Sequence, residues 1–126
     1  MYEGAYLSLD RALKEFESRE PDRMVAGLLA ISLQDLAYDL ALQRALDFAA
    51  DRDEQLRGIG VLCLGHIARV YGRLDLDAAD AAVRAGLTDE SDFVRGHAES
   101  ARDDVIQFLR PASFAGALRT QPVGAR

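Results

Sequence analysis

A chain of 126 residues, 49% hydrophobic and 29% charged, is long enough to bury a core of its own and too apolar for a disordered segment. Its net charge of −6, with Lys14 the only lysine and no cluster of arginines, argues against DNA or RNA as a direct partner, because a nucleic-acid binder needs a basic face to displace phosphate counterions. The single cysteine, the absence of a long apolar run and an N-terminus without the cationic-then-apolar order of an export signal together predict one cytoplasmic domain that neither spans a membrane nor carries a disulfide.

Apolar residues recur at intervals of three and four, and alternating β-branched runs are missing, so the fold class expected is all-α with about six helices. The first, over 8–19, sets Leu9, Ala12, Leu13 and Phe16 on one face, with Lys14, Glu15 and Glu17 facing water. Pro21 suits a first helical turn and restarts the chain into a second helix over 22–31, carrying Met24, Val25, Leu28 and Leu29. Ser32-Leu33-Gln34-Asp35 has the spacing of a capping box and predicts a third helix over 35–50.

The fourth helix, over 54–71, is apolar around nearly its whole circumference, which predicts neighbours on every side. Gly58 and Gly65 lie almost in line on its remaining stripe. Each costs about 1 kcal/mol of helix propensity, so close approach of another backbone is expected there. Gly72 stands where a left-handed cap belongs, Leu74 can close over the last turn, and Arg69 can help neutralise the terminal carbonyls. A short fifth helix over 77–85 is expected to stop at Gly86, and a sixth over 91–110 to stop at Pro111. The domain therefore covers 1–110, with 111–126 as a C-terminal tail. The two arginines of that acid-free tail leave residues 1–110 at a net −8.

The chain also repeats itself. D-R-D-E-Q-L-R-G at 51–58 aligns with D-E-S-D-F-V-R-G at 89–96, each at the turn between a shorter and a longer helix, and Arg19 to Val25 looks like a degenerate third copy. An acidic turn followed by [LV]-R-G at the start of the second helix of a pair resembles the HEAT repeat family. That resemblance implies a short α-solenoid of about three helical hairpins. Over residues 9–109, the stretch from Cys63 to Arg69, then Gly72 to Asp75, and the ending Asp103 to Ile106 before Phe108 resemble small bacterial HEAT-like proteins. Their group includes immunity proteins of contact-dependent growth inhibition and other polymorphic toxin systems.

No catalytic set is evident. Cys63 and His66 share a helix, but only His97 could join them at a metal, and Cys63 lies among leucines rather than beside a base, so a buried thiol and a packed, hydrogen-bonded imidazole are expected. Asp75, Asp77 and Asp80 fail the calcium-loop spacing and suit a helix cap, while the adjacent Asp103 and Asp104 fall on different faces. No cofactor is implied. What remains is acidic punctuation: in a stack of hairpins, Glu20 and Asp22, then Asp51, Asp53 and Glu54, then Asp89, Glu90 and Asp92 would line one edge. The last six are the candidate partner-binding residues. The partner expected is a cognate toxin with a basic surface, a nuclease for example, whose active or substrate-binding site the chain would occlude. The alternative is a HEAT-like adaptor or assembly scaffold.

Overall fold

Ser8 opens the first helix by accepting a hydrogen bond from the Arg11 amide at 3.2 Å. A computed structural model describes residues 7–109, and six helices account for most of them: α1 (Leu9–Glu17), α2 (Pro21–Leu33), α3 (Tyr38–Ala49), α4 (Glu54–Tyr71), α5 (Leu76–Leu87) and α6 (Asp92–Leu109). No strand occurs among the described residues, so the chain is all-α there. The expected tail, 111–126, and the end of the sixth helix at Arg110 lie outside the described residues.

Consecutive helices pack in pairs, α1 on α2, α3 on α4 and α5 on α6, and the even-numbered helices also pack in the row α2, α4, α6. Helix α4 is the centre of this arrangement, touching α2, α3, α5 and α6 as its all-round apolar surface predicts, whereas α1 packs chiefly on α2. One apolar cluster runs through the molecule, with Leu28, Ile31, Val61, Leu64, Ile67, Val83 and Val105 fully buried. Each such side chain contributes roughly 1.5–3 kcal/mol by leaving water.

Glycines let the row close up. A Cβ at Gly65 would stand 2.8 Å from the Cα of Ala101 on α6, the backbone approach its sequence position suggests. At Gly58 the neighbour is the ring of Phe93 instead, 2.6 Å from where a Cβ would sit. The tightest contact is at Gly60, where a Cβ would meet the Ala49 backbone nitrogen at 2.4 Å.

Helix limits shift by up to three residues from those expected, and two of the shifts have a visible cause. Ser32 does not cap a third helix; it is buried in the last turn of α2, and α3 begins at Tyr38. The reason is Asp35, whose φ of 56° is left-handed and reverses the chain after α2. Carbonyls of the last turns of α2 find side-chain donors: the Gln34 amide donates to Ala30 O at 3.0 Å, and the Tyr71 hydroxyl to Ile31 O. Gly86 does not end α5 either. The helix continues to Leu87, and Gly86 is buried against α6, where a Cβ would stand 2.8 Å from that of Ala98. Gly72 does cap α4, with φ of 72° and its N–H donating to Ala68 O at 3.1 Å, and Leu74 is buried behind it.

Candidate protein-binding edge

The two copies of the internal repeat share three equivalent hydrogen bonds at the α3–α4 and α5–α6 turns. In the first, Asp51 Oδ1 accepts from the Asp53 amide at 2.8 Å; in the second, Asp89 Oδ1 accepts from the Ser91 amide at 2.9 Å. Asp53 then caps α4 by accepting from the Leu56 amide at 3.2 Å, and Ser91 Oγ does the same for the Val94 amide at 3.3 Å. The arginine of each R-G pair reaches back six residues: Arg57 Nη1 donates to Asp51 O at 3.2 Å, and Arg95 Nη1 to Asp89 O at 2.6 Å. The α1–α2 turn keeps only the first of these bonds, with Ser18 Oγ accepting from the Glu20 amide at 3.2 Å, and Glu20 makes no side-chain cap. Arg23 pairs with Glu15 instead, and Arg19 takes a left-handed φ of 61°.

Arg57 also ties the two turns together. Its Nε and Nη2 donate to the two carboxylate oxygens of Asp89 at 2.7 and 2.9 Å, a bidentate pair between half-buried groups. The guanidinium holds the Asp89 carboxyl below its ordinary pKa, against the opposing effect of desolvation. Ser91 adds a second tie by donating to Glu54 Oε1. Six residues expected along an edge are thereby brought onto two adjoining turns. Asp53, Glu54, Glu90 and Asp92 are exposed on them; Asp51 and Asp89 are half-buried, with Asp89 engaged by Arg57. Asp92 pairs with Arg95 on its own helix. Glu20 and Asp22 are exposed on a turn where Arg19 and Arg23 alternate with the acids, so the acidic character is concentrated in the second and third pairs.

A shallow depression of about 540 Å³ on this edge is lined by Asp53, Glu54, Gln55 and Phe93. Phe93 is 41% exposed and was not among the expected site residues. The signal was present: it stands in the second repeat where the first has Gln55, a large apolar side chain at a solvent-facing register. A second cleft, of about 520 Å³, lies between α1 and α3, with Leu13, Phe16, Met24 and Phe48 inside and Arg19, Arg44, Glu17 and Asp47 around it. Arg44 there sits over the Phe16 ring, 5.6 Å from its centroid.

Elsewhere the chemistry-bearing residues are engaged in the fold. Cys63 is fully buried, and burial pushes its thiol up to about 12, far from a nucleophile's range. His66 Nδ1 lies 3.2 Å from Arg69 Nη2; arginine can only donate, so Nδ1 accepts and the imidazole is neutral. Burial first, then the Arg69 charge, lower its pKa. Asp75 caps α5 through the Ala78 amide, and Asp80 pairs with Arg84. Among the described residues no three of His, Cys, Asp and Glu converge as a metal set, and no helix is long and apolar enough to cross a membrane. Compared with protein-family models, curated proteins and solved structures, the chain matches none, so the chemistry of this edge rests on its own residues.

Proposed function

We propose that the chain is a protein-binding module of HEAT-like helical hairpins whose acidic edge, at the α3–α4 and α5–α6 turns, meets a basic surface on another protein. Its most concrete form is an immunity protein that occludes the substrate-binding cleft of a cognate toxin. The observation that carries the reading is the seating of two acidic turns side by side, fixed by Arg57 on Asp89 and by Ser91 on Glu54. Fixing them before binding lowers the ordering that association must supply, and the concentrated negative charge speeds encounter with a basic partner. A toxin that binds nucleic acid has such a surface, and covering it would exclude substrate without any chemistry by the inhibitor.

The adaptor reading draws on a different observation. The apolar cleft of Leu13, Phe16, Met24 and Phe48 offers a second surface of mixed charge, and a scaffold joins two partners where an inhibitor needs one.

Expression of the protein encoded beside this one in a bacterial host, with and without this chain, tests the first reading. The expected result is arrested growth alone and restored growth together. Replacing Glu54, Glu90 and Asp92 by lysine should leave the helical spectrum intact and slow association at least tenfold at low salt, with the difference shrinking as salt is raised. No growth arrest to relieve, or rescue and association unchanged in the lysine variant, would turn the assignment toward the scaffold and the cleft between α1 and α3.

A further inference from the structure

We propose that the depression beside Phe93 seats an arginine side chain presented by the partner protein, with the phenyl ring as a stacking surface and Asp53 and Glu54 as acceptors. The inference rests on the acidic edge being the binding surface and names what that edge grips.

Phe93 is held on two sides and open on another. Its ring lies over the bare backbone of Gly58, where a Cβ would come within 2.6 Å of it, and meets the His97 imidazole edge to face, with centroids 4.4 Å apart. An aromatic group fixed in this way loses little freedom when something stacks on it. Even so, 41% of the residue stays exposed, and among the described residues the depression it walls is lined by two carboxylates and no cation. Each carboxylate is only half used within the chain. Asp53 Oδ1 accepts from the Gln55 and Leu56 amides, and Glu54 Oε1 from the Ser91 hydroxyl, while Oδ2 and Oε2 have no partner among the described residues.

Two other aromatic rings of the chain already carry an arginine: Arg73 over Tyr38 at 3.9 Å and Arg44 over Phe16 at 5.6 Å. Phe93 has none. Arg95 is occupied by Asp92 and the Asp89 carbonyl and Arg57 by Asp89, while Arg52, next to Asp53 in sequence, is exposed and does not line the depression. Among the described residues, then, an incoming cation would displace no arginine from the ring. Guanidinium fits better than ammonium, because its plane stacks on a ring, its N–H groups stay free at the rim for carboxylates, and it is more weakly hydrated.

The test uses fluorescein-labelled octa-arginine and octa-lysine as probes of equal charge, with binding followed by anisotropy at low salt. Phe93→Leu keeps Gly58 covered without an aromatic face, and Phe93→Tyr restores the face; thermal melting verifies that both fold. Octa-arginine affinity should fall about three- to tenfold in Phe93→Leu and recover in Phe93→Tyr, while octa-lysine affinity changes less than about twofold. A triple variant, Glu54→Gln, Glu90→Gln and Asp92→Asn, should weaken both probes. If that variant weakens both while Phe93→Leu weakens neither, or both equally, the arginine seat is overturned and the acidic edge stands. If the triple variant weakens neither, the edge and its seat fall together.

Discussion

Arg57 engages four acceptors on two turns, so its chemistry is sensitive to geometry as well as to charge. Lysine keeps the charge but cannot span two carboxylate oxygens and two carbonyls at once, so Arg57→Lys is expected to lower stability in urea by about 1–2 kcal/mol. Arg84→Lys, at a solvent-exposed pair with Asp80 on one helix, should change it by less than about 0.5 kcal/mol. Equal effects would mean that the tie between the turns contributes nothing special. The two histidines set a pH dependence of definite sign. Burial lowers both His66 and His97 below the ordinary 6.5, so just below that pH the unfolded chain binds protons that the folded chain refuses. Stability should be complete above about 6.5 and decline as pH falls, and the double variant His66→Gln, His97→Gln should flatten the urea midpoint across that window. Asp89 acts in a lower window: its carboxyl lies below the ordinary 3.8, so its contribution is lost only as pH falls through that value and beneath. At this scale the sequence is only partly informative. The acids and the R-G pairs are visible in the repeat, but the bond from Arg57 to Asp89 joins residues 32 apart and has no local signature.

The helices obey local chemistry where local chemistry is all that acts on them. The limits of α4 follow from Asp53 and Gly72 alone, and both caps form as their residue types demand. Gly86 and Ser32 mislead because what decides them is distant: Ala98 on α6 requires a residue without a side chain at 86, and the reversal at Asp35 moves the start of α3 beyond the capping box. Gly60 carries no local signal for the same reason, since the approach of Ala49 cannot be inferred from α4 by itself. The repeat supplies an internal control for this distinction. Gly58 and Gly96 occupy equivalent positions, yet Gly58 is covered by Phe93, while no described residue lies within 4 Å of a Cβ at Gly96. Gly96→Ala should therefore raise stability by about 0.5–1 kcal/mol through helix propensity. Gly65→Ala, forced against the Ala101 backbone, should lower it by about 1–3 kcal/mol despite the same gain in propensity. Thermal unfolding of the two variants should bracket the parent; a stabilised Gly65→Ala would mean that α4 and α6 are farther apart than described.

For the whole molecule, the all-α class and the identity of the central helix are legible in the hydrophobic pattern, because an apolar circumference has one physical solution. The acidic half of the candidate edge is legible as well, through the spacing of the repeat. Phe93 is not: the pattern alone does not say whether an exposed-register aromatic covers a glycine or meets solvent, and it does both. The packing also ranks the parts by how they come apart. Since α4 touches four helices and α1 chiefly one, the backbone amides of Leu64 and Ile67 should exchange with deuterium only when the entire chain unfolds, whereas those of Leu13 and Phe16 should exchange through an opening that leaves the rest intact. Such a partial opening would uncover the α2 surface behind Gly27 and Leu28 while α3 to α6 kept their arrangement. Among the described residues it would make the first helix the earliest target for a protease, with the tie between the two acidic turns still in place.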